Sequence, residues 1–201
     1  MITHLLYLHG FRSSPRSNKA QHMARCVDAL RAGGLDLRWA CPQLPPSPRE
    51  AASLVAELTA DWPTTTMAVI GSSLGGFYAT VLAEARGCRA VVINPVVHAA
   101  RDLARHIGEQ TSFQHPQDRF FFRPEYVEEL RDLQPAALAH PERYFALIAQ
   151  GDEVLDWREM AQRYQGATLK VLEGSDHAVS DFAQHLPEVL GFLGLGCLAK
   201  N

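Results

Sequence analysis

The sequence predicts an α/β fold of three layers, in which helices cover both faces of a mostly parallel, shortened central sheet. Apolar runs alternate between strand and helix character along the whole chain, which is typical of a layered α/β protein. The predicted strands are almost continuously apolar, as the strands of a parallel sheet are when both faces are buried. A length of 201 residues fits one domain, 1–201, with a sizeable core.

The first part of the chain alternates strands with helices. Ser14 and Pro15 suit the N-cap and first turn of one helix. Ser47 and Glu50 form a capping box for the next helix, which begins at Pro48. We predict strands at 2–8, 35–40, 66–70 and 89–93, and helices at 15–32, from Pro48 onwards and at 74–86.

The second part of the chain contains an insert. No convincing strand is found from Asn94 to Pro141, so we predict a helical insert, a candidate lid, at about 97–141. Its best helix lies at 124–133, where apolar residues recur at helical spacing. Strands are then predicted at 144–149 and 167–172, and helices at 157–165 and 187–195, the last of which starts at Pro187.

Composition excludes several classes of function. The chain has 19 Lys and Arg against 22 Asp and Glu, so it lacks the basic excess that nucleic-acid binding needs. No apolar run is long enough to span a membrane, and the N-terminus lacks the features of a signal peptide. We therefore expect a cytoplasmic location. The cysteines are interpreted as free thiols, two disulfides being the less favoured alternative: Cys26, Cys41, Cys88 and Cys197.

The strongest motif is Gly71-Ser72-Ser73-Leu74-Gly75-Gly76, which fits the pattern G-x-S-x-G. It lies between a predicted strand and a predicted helix, where a tight turn can lift the hydroxyl of Ser73 clear of the sheet. Small residues are needed beside such a turn, and the helix N-terminus favours negative charge there. Ser73 is therefore the candidate nucleophile. A plain glycine-rich turn is the alternative.

A serine nucleophile needs a base and an acid that orients the base. Asp152 and His177 each follow a later predicted strand, in the chain order Ser, Asp, His. Asp156 is the reserve candidate for the acid, because with Glu159 it also forms a capping box for the next helix. No spacing of histidines, cysteines or carboxylates suggests a metal, and no cofactor is implied.

Two backbone N–H groups are candidates for an oxyanion hole. The turn His9-Gly10-Phe11 ends the first strand and can aim the N–H of Phe11 at the nucleophile, while Leu74 directly follows Ser73. We interpret His9 as a packed residue that shapes this loop rather than as a catalytic one.

Two further groups allow a structural or a substrate-binding interpretation. A basic run beside Phe11 is by default a solvated face, and the alternative is an anchor for an anionic part of a substrate, such as a coenzyme A phosphate: Arg12, Arg16, Lys19 and Arg25. A set of phenylalanines in the insert packs it onto the body or lines an acyl-chain site: Phe113, Phe120, Phe121 and Phe122.

These motifs resemble those of the YqiA-like esterases, small bacterial members of the α/β-hydrolase superfamily. The resemblance spans nearly the whole chain and rests on the segments 7–15, 71–80, 94–95, 151–156 and 174–182. It implies an α/β-hydrolase fold and hydrolysis of short acyl esters and acyl-CoA thioesters. By this likeness Ser73 is the nucleophile, Asp152 the acid and His177 the base. The likeness weakens in the insert.

The sequence therefore predicts a serine esterase that acts on a small acyl ester or acyl-CoA substrate through a Ser-His-Asp triad. Two alternatives remain open at this stage. One is another hydrolase on the same fold, such as a lactonase or a peptidase, because specificity depends on the pocket. The other is a non-catalytic module that binds acyl compounds.

Overall fold

The computed structural model describes residues 1–196. Within these residues the chain forms eight strands: β1 (His4–Leu8), β2 (Arg38–Ala40), β3 (Met67–Ser72), β4 (Arg89–Ile93), β5 (Gly108–Thr111), β6 (Arg119–Phe122), β7 (Tyr144–Ala149) and β8 (Thr168–Leu172). Seven α-helices connect or follow them: α1 (Asn18–Ala32), α2 (Pro48–Leu58), α3 (Leu74–Arg86), α4 (Ala99–Ala104), α5 (Pro124–Leu133), α6 (Trp157–Arg163) and α7 (Phe182–Phe192).

Six strands form one parallel sheet in the order β2-β1-β3-β4-β7-β8. The register places the last residues of neighbouring strands side by side, for example Ser72 opposite Ile93 and Ala149 opposite Leu172. All six strands therefore end at one edge of the sheet, which is where parallel α/β proteins build their sites. The predicted α/β class and parallel sheet are confirmed.

Helices cover both faces of this sheet. In β1, Leu5 and Tyr7 belong to one buried cluster while Leu6 and Leu8 belong to the other, as the alternation of a strand requires. The first cluster includes apolar side chains of α1 and α7, and the second includes those of α2, α3, α5 and α6. The sheet is thus the middle layer of three.

The insert contains a β-hairpin that the sequence did not predict. Strands β5 and β6 pair antiparallel and form a separate two-stranded sheet, and the insert also holds α4 and the predicted helix α5. The prediction of no strand from 94 to 141 was wrong because the run Phe120-Phe121-Phe122 is uniformly apolar and its partner strand is polar. The alternation appears only in burial, where Phe122 is buried and Phe121 is exposed.

The first residues of two helices also differ from the prediction. Helix α7 begins five residues before Pro187, which lies inside it, because the buried face of the helix already includes Phe182. The N-cap of α1 is Ser17 rather than Ser14, whose hydroxyl instead accepts a hydrogen bond from the N–H of Arg16. Ser47 is the N-cap of α2 as predicted, since its side chain accepts from the N–H of Glu50, but among the described residues the Glu50 side chain does not complete the capping box.

The described cysteines form no disulfide, in agreement with the favoured interpretation of the sequence. Cys26, Cys41 and Cys88 are free thiols, of which Cys88 is buried and the other two are half-buried. Cys197 lies outside the described residues.

Within residues 1–196, none of the helices combines the length and the apolar character that crossing a membrane would require.

Candidate active site

Ser73 occupies a strained turn between β3 and α3. Its backbone angles are φ 56° and ψ −123°, a conformation that a residue with a side chain rarely adopts and that clusters at functional sites. A Cβ added at Gly75 would lie 2.0 Å from the carbonyl oxygen of Leu8, and one at Gly71 would lie 2.1 Å from the oxygen of Gly75. The two glycines of the motif are therefore required by close backbone packing against β1 and α3.

The backbone of this turn is bonded to the neighbouring strand. The N–H of Ser73 donates to the carbonyl of Ile93 at 3.0 Å, and the carbonyl of Ser73 accepts from Gly76 at 2.9 Å and from Val96 at 3.1 Å. Main-chain contacts to β4 and α3 thus fix the position from which the hydroxyl projects.

The structure brings Ser73, His177 and Asp152 together at the edge where β3, β7 and β8 end. The Nε2 atom of His177 lies 3.0 Å from Oγ of Ser73, and its Nδ1 atom lies 2.7 Å from Oδ2 of Asp152. Because an ionised carboxylate only accepts, Nδ1 carries the proton and Nε2 is free to accept the serine proton. The side chain of Asp152 is fully buried, whereas that of His177 is 20% exposed.

The two candidate acids have different environments. The other carboxylate oxygen of Asp152, Oδ1, accepts hydrogen bonds from the N–H groups of Val154 and Leu155, both at 2.8 Å. These bonds hold the carboxylate so that Oδ2 is directed at His177. Asp156 is the N-cap of α6 and accepts from the N–H of Arg158. Glu159 does not complete the predicted capping box, because Arg101 binds both of its carboxylate oxygens.

Asn94, which the sequence analysis did not single out as a functional residue, anchors the loop that carries His177. It is fully buried at the end of β4. Its amide nitrogen donates to the carbonyls of Asp176 and His177, at 3.0 and 3.1 Å, and its amide oxygen accepts from the N–H of Ala149. The signal available in the sequence was an Asn directly after a predicted strand, since Asn tolerates the positive φ of 40° found here.

Two further side chains hold the same loop. The carboxylate of Glu153 accepts from the backbone N–H of His177 at 3.0 Å. The ammonium group of Lys19, from the first turn of α1, donates to the carbonyl of Ala178. Contacts from β4, the loop after β7 and α1 therefore converge on the His177 loop.

The turn after β1 lies directly against Ser73. A Cβ at Gly10 would come within 3.1 Å of the Cβ of Ser73, so the backbone passes close to the nucleophile. Within the described part of the chain, the N–H groups of Phe11 and Leu74 make no hydrogen bond. They remain available as donors.

His9 shapes this turn, as its sequence position suggested. Its Nδ1–H donates to the carbonyl of Gly10 and its Nε2 accepts from the N–H of Leu44. Burial lowers the pKa of the imidazole below its ordinary value, which favours the neutral ring that accepting the Leu44 N–H requires.

The hairpin of the insert packs onto the Phe11 turn. The ring of Phe11 makes edge contacts with Phe120 and Phe122, at centroid distances of 5.8 and 5.2 Å. The Arg12 guanidinium donates to the carbonyl and hydroxyl of Thr111. Two of the Arg12 donors thus hold the hairpin, and Arg12 borders the second cavity described below, so its role as an anion anchor stays a prediction.

Two cavities meet at the turn formed by Gly10 and Phe11. We call the first the serine cavity: it has a volume of about 350 Å³ and is bordered by Ser73, His177 and residues of α1. We call the second the apolar cavity: it has a volume of about 600 Å³ and passes Leu74 and Phe11. The walls of the apolar cavity include Leu44, Pro45, Leu54, Tyr78 and Phe120, and the charged residues Arg12, Asp118 and Arg119 also border it. Phe121 points away from both and is 54% exposed.

Over residues 1–196, no group of three or more His, Cys, Asp or Glu side chains is placed to hold a metal ion.

The fold is similar to those of many solved structures, including the following three. Mouse alpha/beta hydrolase domain-containing protein 10 gives a TM-score of 0.69 at 14% identity, covering 94% of this chain and 90% of its own. The monoacylglycerol lipase of Paleococcus ferrophilus gives 0.63 at 14% identity, covering 96% and 94%. The esterase domain of a Rhodothermus marinus protein gives 0.58 at 18% identity, covering 94% and 85%. At these identities the likeness establishes the α/β-hydrolase fold.

One family model matches nearly the whole chain. The match covers residues 4–194, from the first residue of β1 to beyond the end of α7, and so includes every element of the parallel sheet. The resemblance noted from the motifs is thereby confirmed at the level of the family. The chain belongs to the uncharacterised protein family UPF0227, the YqiA-like family.

Proposed function

We propose that this protein is a serine hydrolase that cleaves carboxylic esters, and acyl-CoA thioesters, through Ser73, His177 and Asp152. One observation carries the proposal: a hydroxyl, an imidazole and a buried carboxylate are hydrogen-bonded in series, at 3.0 and 2.7 Å, beside a cavity open to a substrate. A nucleophile bonded to a base that is oriented by a third group is the arrangement that nucleophilic catalysis needs.

The first half of the reaction forms an acyl-enzyme. Oγ of Ser73 bonds to the carbonyl carbon while its proton passes to Nε2 of His177. The bond from carbon to the leaving oxygen or sulfur then breaks, and the imidazolium returns the proton to that atom. Asp152 holds the imidazole in the required tautomer and stabilises its positive charge.

The second half uses water in place of the serine hydroxyl. His177 takes a proton from water, the water oxygen bonds to the acyl carbon, and the bond to Oγ breaks as Ser73 regains its proton. In both halves the N–H groups of Phe11 and Leu74 donate to the negative oxygen of the tetrahedral intermediate. The apolar cavity beside these two donors receives the acyl chain.

The fold comparisons favour this class of activity. Two of the similar structures are named as a monoacylglycerol lipase and an esterase domain. A serine lactonase or peptidase would use the same three side chains, and a non-catalytic acyl-binding module would have no need of the strained turn at Ser73.

The test replaces the nucleophile. We expect Ser73→Ala to lower kcat for p-nitrophenyl butyrate by at least about 10⁴-fold and to abolish labelling by a fluorophosphonate probe. Ser53→Ala, an exposed serine of α2, is the control and should behave as the wild-type protein. Full activity in the Ser73→Ala protein would refute the proposal, as would a wild-type protein that does not label.

The choice between the two candidate acids has its own test. Asp152→Asn should lower kcat by about 10³–10⁴-fold, because the amide can present its NH₂ to the imidazole and favour the wrong tautomer. Asp156→Asn should leave kcat unchanged, because Asn caps a helix as well as Asp does. A large loss of kcat in Asp156→Asn, with no change in Asp152→Asn, would identify Asp156 as the acid.

A further inference from the structure

The serine cavity is lined by basic side chains. Arg16, Lys19 and His22 border it together with Ser73 and His177. Among the described residues, no Asp or Glu side chain lines it. The Ser73 hydroxyl therefore shares its cavity with the guanidinium of Arg16, the ammonium of Lys19 and the imidazole of His22. The whole chain, by contrast, has a formal net charge of −3. Such a distribution favours a negatively charged ligand.

The first turn of α1 contributes to the same wall. Ser17, Asn18 and Lys19 all border the cavity, and the N-cap Ser17 makes no side-chain hydrogen bond to the helix. The free N–H groups of a helix start carry partial positive charge and bind anions. The backbone thus adds to the charge of Arg16 and Lys19.

A buried hydroxyl also borders the serine cavity. The side chain of Tyr7 is fully buried, and in the described part of the chain its hydroxyl makes no well-formed hydrogen bond, with the side chain of Ser72 near it. Burial raises the pKa of this hydroxyl well above its ordinary value, so it stays protonated and can act as a donor. A buried donor without a partner is costly, and an acceptor on a ligand would satisfy it.

The position of His177 indicates that the leaving group of the substrate, rather than its acyl chain, occupies the serine cavity. His177 and the next residues of its loop, from Ala178 to Ser180, line the serine cavity but not the apolar cavity. The leaving group must lie near the imidazole, since His177 returns the proton to it. The leaving group therefore occupies the serine cavity, and the acyl chain the apolar one.

We propose that the preferred substrate is an ester whose alcohol half carries an anionic group, a carboxylate or a phosphate, held by Arg16 and Lys19 within the serine cavity. This inference rests on the proposed function. A volume of about 350 Å³ is at the small end of the range for ligand sites, so the anion lies close to the bond that is cleaved. The remote phosphates of coenzyme A would lie outside this cavity.

The test uses butyrate esters that differ only in the charge of the leaving group. The butyrates of meta-hydroxybenzoate and meta-hydroxybenzamide have the same acyl chain and ring, and their rates of hydrolysis by hydroxide correct for intrinsic reactivity. We expect kcat/KM to be about tenfold higher for the anionic ester. The butyrate of meta-hydroxyphenyl phosphate distinguishes the two anions, because a site for phosphate would favour it over the benzoate.

Substitutions of the basic residues then test which side chains cause the preference for the anionic ester. Arg16→Gln should remove most of the preference while leaving kcat/KM for the neutral ester within about twofold. Lys19→Met also removes a contact to the His177 loop, so it is judged by the ratio of kcat/KM for the anionic ester to that for the neutral ester, which should fall towards one even where both rates fall. Arg25→Gln removes the same charge from an exposed position of α1 that does not border the cavity, and it should keep the preference.

Two results would overturn the inference while the proposed function stands. The first is equal kcat/KM for the charged and neutral esters in a protein whose Ser73 is required for both. The second is a preference that survives in the Lys19→Met, Arg16→Gln double variant. Hydrolysis of none of the esters, together with no fluorophosphonate labelling of Ser73, would remove the proposed function and this inference with it.

Discussion

The loop that carries Ser73 and the loop that carries His177 are held in place by different kinds of contact. Ser73 lies on a short turn bonded through its own backbone to β4 and α3, with glycines where the main chain of β1 comes near. The His177 loop follows the edge strand β8 and is held by side chains from three other parts of the chain: Lys19, Asn94 and Glu153.

The two loops should therefore differ in the substitutions to which they are sensitive. The serine turn depends on the absence of side chains, so it is sensitive to an added methyl group and insensitive to most changes elsewhere. The histidine loop depends on hydrogen bonds from remote residues, so changes far away in the sequence should displace the imidazole. A misplacement of about 1 Å can cost about 10²-fold in rate.

The largest effect is expected at the serine turn. In Gly75→Ala the new methyl group would lie 2.0 Å from the carbonyl oxygen of Leu8 and cannot be accommodated without moving β1 or α3. We expect the free energy of unfolding to fall by about 3 kcal/mol or more, measured by urea denaturation. Gly191→Ala, where nothing lies within 4 Å, should be neutral or stabilising by up to about 1 kcal/mol. Equal stabilities of the two variants would contradict this account of the turn.

An intermediate effect is expected at the anchor of the histidine loop. Asn94→Asp keeps the oxygen that accepts from Ala149 but replaces the donor that faces the carbonyls of Asp176 and His177. We expect kcat for p-nitrophenyl butyrate to fall by about 10–100-fold while KM is unchanged.

A double variant tests whether Asn94 acts by positioning His177. If it does, Asn94→Asp should lower the residual rate no further in a His177→Ala background, because both changes act on the same base. A purely structural role would instead lower the rate in both backgrounds. Asn94→Gly tolerates the φ of 40° and separates the loss of the amide from backbone strain.

The smallest effect is a pH dependence at Lys19. Burial lowers the pKa of this ammonium group to about 8, against the opposing electrostatic influence of the Asp176 and Asp152 carboxylates. Lys19 is therefore charged below pH 8 and loses its charge above it. We expect KM for the butyrate of meta-hydroxybenzoate to rise several-fold between pH 7 and 9, with no such rise for the neutral ester. Lys19→Arg, which stays charged, should abolish the rise.

Most elements of the parallel sheet and its helices were predictable because their signals are local. Strand β4 and helices α3 and α5 have the predicted bounds, since apolar periodicity and boundary residues agree there. The hairpin of β5 and β6 was missed because its strands are defined by pairing with each other and by burial against Phe11. The start of α7 was misplaced because Pro187 looked like a first helical residue.

The candidate site was predictable to a similar degree. The order of Ser73, Asp152 and His177 and their places after strands could be inferred, because parallel strands end at the same edge. The parts played by Asn94 and Lys19 could not, since each depends on contact with a loop about 80 or more residues away in the chain. The orientation of Arg12 depended likewise on the unpredicted hairpin.

The amino-acid sequence by itself determined the layered α/β architecture and which hydroxyl, imidazole and carboxylates could react, because periodicity, glycine spacing and strand ends are local properties of a chain. Only the tertiary structure decided that Asp152 rather than Asp156 contacts His177, and that Arg16 and Lys19 rather than Arg12 border the serine cavity. The physical reason is that hydrogen bonds and cavities depend on distances of a few ångströms between remote residues, which packing of the whole chain sets.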